Sequence, residues 1–262
     1  MDKYLKNPIS LSGVVLALSL SQPVYALPTT IYDNYIGGDD HGHGDVIGSD
    51  VFDVLSMDVE LLDNNILSVV INTNFAGKGD EARFSTSTYS GNGIGYGDLF
   101  LSDTWSPVGD APYLDDNYYA EGTTDWSLAF SLGDERWTDG GTGSLYSLDG
   151  NDDDDILLSE DFLSRNTFRN GQEMAVNTEG KEADYINSSL WTVDDANNTI
   201  SFLIDLTGTS LEGSDTIALH WGMTCANDTI EGVYSVPEPE MLGLLAIGLL
   251  GIGFGQRKKT TK

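Results

Sequence analysis

Hydrophobic and polar residues alternate with a period of two through much of the central chain. In Leu55–Leu61 every second residue is apolar, and after Asp63–Asn65 a similar alternation continues through Leu67–Phe75. Strands that bury one face show this period, and Asp-Asn-Asn is a typical turn sequence. The pattern therefore predicts a β-hairpin with one buried face.

Further short apolar stretches follow, each bracketed by Gly, Pro or Asp. Within residues 27–234 no helical pattern is longer than two turns, and only one helical turn is predicted there, at 159–164. Many short strands separated by turns favour an all-β fold, and we expect an antiparallel β-sandwich of the jelly-roll or lectin-like kind. The predicted strands lie at 30–35, 98–102, 125–132, 144–148, 172–176, 200–206, 217–221 and 229–234.

The amino end has the composition of a secretory signal peptide. Lys3 and Lys6 precede an apolar stretch from Ile9 to Leu20, and Val24-Tyr25-Ala26 presents small residues at the positions that signal peptidase requires. We expect cleavage after Ala26 and passage through the general secretion machinery.

The carboxyl end combines three ordered parts. Val236-Pro237-Glu238-Pro239 precedes the uncharged run Met241–Gly255, which is followed by Arg257, Lys258 and Lys259. Fifteen helical residues span about 22 Å, which is short for a bilayer core of about 30 Å. A single hydrophobic helix is predicted, with the basic cluster as a cytoplasmic stop-transfer signal.

This carboxyl end resembles the PEP-CTERM sorting signal of Gram-negative bacteria. The resemblance implies recognition of Pro237, Glu238 and Pro239 by exosortase, removal of the tail, and transfer to the cell surface or the exopolysaccharide matrix. The protein would then contact the membrane only through its C-terminal helix, before processing. An ordinary single-pass anchor is the alternative interpretation, although the run Met241–Gly255 is short for that role.

These ends divide the chain into three parts. Residues 1–26 are the predicted signal peptide, 27–234 a single extracellular domain, and 235–262 the sorting signal. Three stretches of the domain resemble segments that recur in uncharacterised proteins with this tail, which implies an extracellular β domain without assigned catalytic residues. They are 35–42, 97–102 and 220–232.

The predicted mature part is strongly acidic. Removing both ends leaves 6 of the 12 basic and 39 of the 42 acidic residues, and 6 minus 39 is a formal charge of −33. Such a surface repels phosphate groups and anionic lipids, so nucleic-acid binding and peripheral membrane binding are disfavoured. It serves solubility in an extracellular setting and also attracts cations.

The first candidate metal site is an acidic segment. Asp149, Asn151, Asp153 and Asp155 fall at positions one, three, five and seven of a twelve-residue calcium loop, and Glu160 falls at position twelve. The sixth position is an aspartate where such loops have glycine, and no helix precedes it. A solvated acidic loop and a calcium site both remain open.

A glycine-rich loop is the second candidate. It contains Asp39, Asp40 and Asp45, with His41 and His43 between them. Two imidazoles are too few for a typical zinc site, so calcium is the candidate cofactor here too. An unmetalled surface turn is the alternative.

No catalytic constellation is evident in the sequence, which lacks a Gly-x-Ser-x-Gly elbow and a phosphate-binding glycine loop. Cys225, the one cysteine, is interpreted as a buried small hydrophobe. Aromatic residues have two interpretations, core packing or stacking on sugar rings. They are Trp105, Tyr113, Tyr118, Tyr119, Trp126 and Trp137.

We therefore expect a non-enzymatic surface or matrix protein that exosortase processes. A calcium-assisted carbohydrate-binding module of the extracellular polysaccharide is the second hypothesis, and a secreted hydrolase is the third.

Overall fold

The computed structural model of the protein describes residues 28–38, 50–79, 92–148, 155–163, 169–178 and 184–236. In these ranges the chain forms twelve strands and one short α-helix. They are β1 Thr29–Tyr32, β2 Val54–Leu62, β3 Ile66–Thr73, β4 Leu99–Ser102, β5 Leu128–Ser131, β6 Gly140–Ser147, β7 Ile156–Leu158, α1 Ser159–Phe162, β8 Glu173–Val176, β9 Asp184–Asp194, β10 Thr199–Asp205, β11 Thr216–Gly222 and β12 Thr229–Ser235.

Ten of these strands form one antiparallel sheet. Its order is β1-β2-β3-β10-β9-β6-β5-β4-β11-β12, while β7 and β8 pair separately. The expectation of an antiparallel all-β fold is confirmed. The expected sandwich of two packed sheets is not shown, because hydrogen bonding is continuous across all ten strands. Alternation along a strand reports only that one face is buried, and a single curled sheet buries an inner face as a sandwich does.

The predicted hairpin is formed by β2 and β3. Asn64 and Asn65 adopt left-handed backbone angles, with φ of 63° and 61°, which asparagine tolerates better than most residues. An irregularity in register between Val54 and Ser56 turns Val54 inward and leaves Leu55 51% exposed. Position 55 therefore departs from the predicted alternation.

The two edge strands of the sheet approach each other. A Cβ atom added to Gly232 of β12 would lie 2.5 Å from Cγ2 of Ile31 in β1. The Ile31 side chain thus occupies the space that any larger residue at position 232 would need. Glycine at this position lets the sheet curl until β1 contacts β12.

Buried side chains form a core on each face of the strands near this edge. Leu219 and Trp221 of β11 belong to the main core, whereas Ala218 packs in a second cluster with Phe100 and Trp126. Strands β7 and β8 contribute Ile156 and Val176 to that second cluster. Strand β11 is therefore covered on both faces, as its mainly apolar sequence allows.

Strand β9 was not among the predicted strands. It pairs with both β6 and β10, and its polar segment Asn187–Ser189 carries no apolar side chain. Trp191 is its one fully buried residue among those whose burial is described. With so little burial, β9 lacks the alternation from which strands are recognised.

The predicted signal peptide, with Ala26, and the sorting signal beyond Val236, with the run Met241–Gly255, lie outside the described residues. None of the helices in the described ranges has the length and apolar character needed to span a bilayer. The division at residues 26 and 235 stays a prediction.

An ion pair inside the protein joins several elements. Arg136 Nη1 lies 3.1 Å from Asp98 Oδ1 and donates to the carbonyl oxygen of Tyr96. The Asp98 carboxylate also accepts 2.8 Å hydrogen bonds from the backbone N–H groups of Leu132 and Val176. Asp98 is fully buried, so these partners replace the water that a carboxylate would otherwise bind.

We expect Asp98→Ala to lower the free energy of unfolding by about 3 to 5 kcal/mol, because Arg136 would keep a buried charge without its carboxylate. Urea denaturation measures this change. Glu121→Ala, at an exposed position, is the control and should change stability by no more than about 0.5 kcal/mol. A loss below about 1 kcal/mol in Asp98→Ala would contradict the structural role of the pair.

Candidate functional site: a cleft beside the sheet edge

A cleft of about 320 Å³ opens where β1 approaches β12. Its residues come from β1 and the segment after it, from β12, and from the loop between β4 and β5. We call it the edge cleft. Its volume is at the lower end of the range for small-molecule sites.

Aromatic rings dominate the walls of the edge cleft. Tyr32, Tyr35, Trp105 and Tyr113 all line it. The Tyr35 and Tyr113 rings are stacked at 5.9 Å, and Trp105 meets Tyr113 edge to face at 5.4 Å. Tyr32 is 69% exposed at the mouth. The rings support one another, so the wall is organised without a ligand.

The backbone at Tyr113 is held in a conformation that tyrosine rarely adopts. Its φ is 62°, and the tight turn is closed by hydrogen bonds from Tyr113 N–H to Asp110 and from Asp116 N–H to Tyr113. Strain of this kind costs about 1 to 3 kcal/mol and persists only where neighbouring contacts determine it. Here it directs an aromatic ring to the cleft wall.

Glu231 of β12 is the one acidic residue among the described residues that line the edge cleft. Its Oε1 lies 2.9 Å from His220 Nδ1, and its Oε2 accepts a 2.9 Å hydrogen bond from Trp105 Nε1. His220 and Glu231 are directly paired across β11 and β12, which places both side chains on the same face. The carboxylate thus connects the sheet to the aromatic wall.

His220 is held between two oxygen acceptors. Its Nε2 lies 2.7 Å from the backbone oxygen of Glu173, opposite the contact of Nδ1 with Glu231. An imidazole satisfies two acceptors only when both nitrogens carry hydrogen, which is the charged form. Burial opposes that charge, but the hydrogen bond and charge of Glu231 and the nearby Glu173 carboxylate leave the pKa of His220 raised.

A second polar pair lies behind the cleft wall. Tyr35 donates a 3.0 Å hydrogen bond to Asp116 Oδ2, and Thr123 donates a 2.6 Å bond to Oδ1. Burial raises the pKa of Asp116 despite the Thr123 bond, and the Glu231 carboxylate raises it further. Burial, together with the carboxylates of Glu231 and Asp116, raises the pKa of Tyr35 well above its ordinary value of 10.0. Tyr35 therefore stays a neutral hydrogen-bond donor.

Arg169 fastens the chain segments behind this cluster. It is fully buried and donates to the backbone oxygens of Ile36 and Ala226 and to Thr229 Oγ1. Its positive charge opposes the effect of the carboxylates on the pKa of Tyr35. Arg169 therefore connects the segment after β1 to the start of β12.

Burial also raises the pKa of Glu173, to about 7. The charge of His220 opposes this shift, while the Glu231 and Asp116 carboxylates add to it. The site thus gathers three buried carboxylates and two buried basic groups in a small volume.

Of the predicted calcium ligands, the structure describes two, Asp155 and Glu160. Asp149, Asn151 and Asp153, and also Asp39, Asp40 and Asp45 of the glycine-rich loop, lie outside the described residues. Asp155 is buried next to β7. Glu160 accepts hydrogen bonds from Gly171 N–H at 2.8 Å and from Tyr119 Oη at 3.2 Å. In the described part of the chain, no three His, Cys, Asp or Glu side chains are grouped to hold a metal ion.

The predicted aromatic candidates separate in the structure. Trp105 and Tyr113 meet in the edge cleft, whereas Trp126 is fully buried in the second core cluster. Tyr118 is buried, Trp137 is half-buried, and Tyr119 is 68% exposed elsewhere. Cys225 is fully buried, and burial raises the pKa of its thiol to about 12.

Sequence reasoning did not identify Glu231, Tyr35 or Asp116 as site residues. A signal was present, since His220 and Glu231 are ionisable residues within otherwise apolar predicted strands. An isolated charge in such a strand requires a partner. Finding that partner depends on the register of β11 with β12.

The carboxyl end was compared with protein families. Residues 235–259 match the family model of the PEP-CTERM protein-sorting motif, which confirms the predicted motif and implies exosortase as the processing partner. The match begins at Ser235, the last residue of β12, and Val236 N–H still donates a 2.8 Å hydrogen bond to Asp215. Pro237–Pro239 and the basic cluster Arg257–Lys259 lie outside the described residues. Searches of curated proteins and of solved structures find no match to the chain.

The raised pKa of Glu173 makes folding stability depend on pH. Its folded-state pKa of about 7 exceeds the ordinary value of 4.5, so its contribution is fully present below pH 4.5 and is lost as pH rises through 7. This loss is on the order of 3 kcal/mol, and His220 acts in the same direction. We expect Glu173→Gln to flatten the decline of melting temperature between pH 5 and 8. Glu121→Gln is the control, and an unchanged slope in Glu173→Gln would contradict the assignment.

Proposed function

We propose that the protein is a non-enzymatic, carbohydrate-binding protein of the cell surface or extracellular matrix, and that its ligand binds in the edge cleft. The sorting motif supports the location, since PEP-CTERM proteins are secreted and processed by exosortase. The aromatic wall supports the ligand class.

One observation carries the proposal. Trp105, Tyr113 and Tyr35 form a contiguous aromatic wall beside a carboxylate, Glu231. Sugar rings present apolar C–H faces and hydroxyl edges, so a site for them needs aromatic rings and a few fixed hydrogen-bonding groups. The edge cleft combines both in a cavity of about 320 Å³.

Glu231 suits binding better than catalysis. Each of its oxygens already contacts an N–H group, of His220 or of Trp105, so the carboxylate is held in place as a hydrogen-bond acceptor. Its remaining lone pairs still accept hydrogen bonds from hydroxyl groups. A secreted hydrolase is the competing hypothesis, and turnover of a panel of glycosides that is lost in Glu231→Gln would favour it.

The predicted signal peptide and the sorting motif together account for export of the protein to the cell surface. In this proposal signal peptidase removes residues 1–26 of the chain in a Gram-negative cell, and the tail holds the protein transiently in the inner membrane until exosortase acts. Calcium assistance at Asp155 and Glu160 is not needed, since the cleft wall is built from hydrogen bonds and ring contacts. A calcium-dependent melting shift would restore that hypothesis.

We expect Trp105→Ala to weaken binding of the host's extracellular polysaccharide about tenfold or more. The change removes both the ring contact with Tyr113 and the hydrogen bond to Glu231, and about 1.4 kcal/mol corresponds to a factor of ten. Affinity electrophoresis or calorimetry of the purified domain measures this.

The matched control is Tyr185→Ala. Tyr185 is an aromatic residue of β9 that is 59% exposed and does not line the cleft. Its loss should leave affinity unchanged. Equal weakening in both variants, or none in either, would remove the edge cleft as the binding site.

We expect a chain that ends at Val236 to be secreted but neither anchored nor processed. Mass spectrometry of the C-terminus of the mature full-length protein in its host should then identify a new end within or after Pro237–Pro239. Identical anchoring and release of the full-length and truncated chains would contradict the sorting role.

A further inference from the structure

We propose that the edge cleft selects amino sugars with a free, protonated amine over neutral, N-acetylated and acidic sugars. The inference rests on the proposed function and names the ligand class of the same site. Three features of the cleft support it: its charge, its aromatic wall and the composition of its surroundings.

The lining of the edge cleft has one kind of charge. Of the described residues that line it, Glu231 is acidic and none is Lys or Arg. The segment from Asn92 to Glu135, which supplies one wall, contains no Lys, Arg or His. It does contain Asp103, Asp110 and Asp115, each within two residues in sequence of a lining residue. A uronate, sulfate or phosphate group would meet repulsion here with no basic partner.

The interior beneath the cleft holds three carboxylates and two basic groups. Asp116, Glu173 and Glu231 lie near Arg169 and protonated His220, so the cluster has a net charge of about −1 when all three carboxylates are ionised and about zero when Glu173, with its pKa of about 7, is protonated. The mutual repulsion is visible in the pKa of Asp116 and of Glu173, both raised in part by Glu231. A cation bound in the edge cleft would relieve this repulsion.

The wall itself favours an organic cation. A protonated amine near the faces of Trp105 or Tyr113 gains a cation–π interaction. An inorganic metal ion would need oxygen ligands instead of rings. An amino sugar presents its ring to the aromatic wall and its ammonium group to the carboxylate, so one ligand uses both features. N-acetylation removes the charge and this advantage.

Three tetrasaccharides with the same β-1,4 linkage test the selection, since glucosamine, N-acetylglucosamine and glucose differ at one position. Calorimetry at pH 6 keeps the amine protonated. We expect the glucosamine tetramer to bind about tenfold more tightly than the other two, which corresponds to about 1.4 kcal/mol. Raising salt from about 0.05 to about 0.5 M should weaken only the glucosamine tetramer, because salt screens charge and not ring stacking.

Two variants separate the cleft from general attraction to an acidic protein. Glu231→Gln should reduce the preference for the glucosamine tetramer over the glucose tetramer to about threefold or less. Trp105→Ala keeps the net charge and should lose all three ligands. If Trp105→Ala binds the glucosamine tetramer unchanged, the attraction belongs to the whole surface and the inference fails.

The remaining outcomes distinguish the two proposals. Equal affinity for all three tetramers, without salt dependence, would overturn the preference for amino sugars and leave carbohydrate binding in place. If none of them binds and the host polysaccharide is not retained either, the proposed function fails, and this inference fails with it.

Discussion

The carboxylate of Glu231 is the point on which the candidate site depends. It lies 5% exposed on a strand whose other residues are mainly apolar, and a charge in that position needs compensation. His220 provides it from the neighbouring strand, and Trp105 provides it from a loop 126 residues away in sequence. The same carboxylate therefore stabilises the sheet edge and positions the aromatic wall, so that changes to either are expected to affect the other.

The approach of β1 to β12 leaves a cleft beside that carboxylate. Gly232 lets the Ile31 side chain approach β12, which brings β1 beside Glu231 without sealing the space between the strands and the Trp105 loop. Asp98 and Arg136 play a comparable role deeper in the fold, where they join β4, β5 and β8. Buried polar groups in this protein thus connect elements as well as satisfy one another.

Local patterns predicted the hairpin of β2 and β3, and the strands β10, β11 and β12, because each buries one or both faces with apolar residues. Strand β9 was missed because Asn187–Ser189 carries no such pattern. Trp105 and Tyr113 were recognised as candidates for sugar stacking, but Trp126 shares their chemistry and is a core residue. Residue type alone does not distinguish these positions, since exposure depends on what packs against the strand.

The sequence by itself determined the features that depend on nearby residues: the sorting motif, the acidic composition, the short alternating strands and the buried character of Cys225. Tertiary structure alone decided that ten strands form one sheet, and that Tyr35 meets Asp116 and Trp105 meets Glu231. These outcomes depend on strand register and on the approach of the two sheet edges. Both are set by contacts between residues far apart in the chain, and no local pattern contains that information.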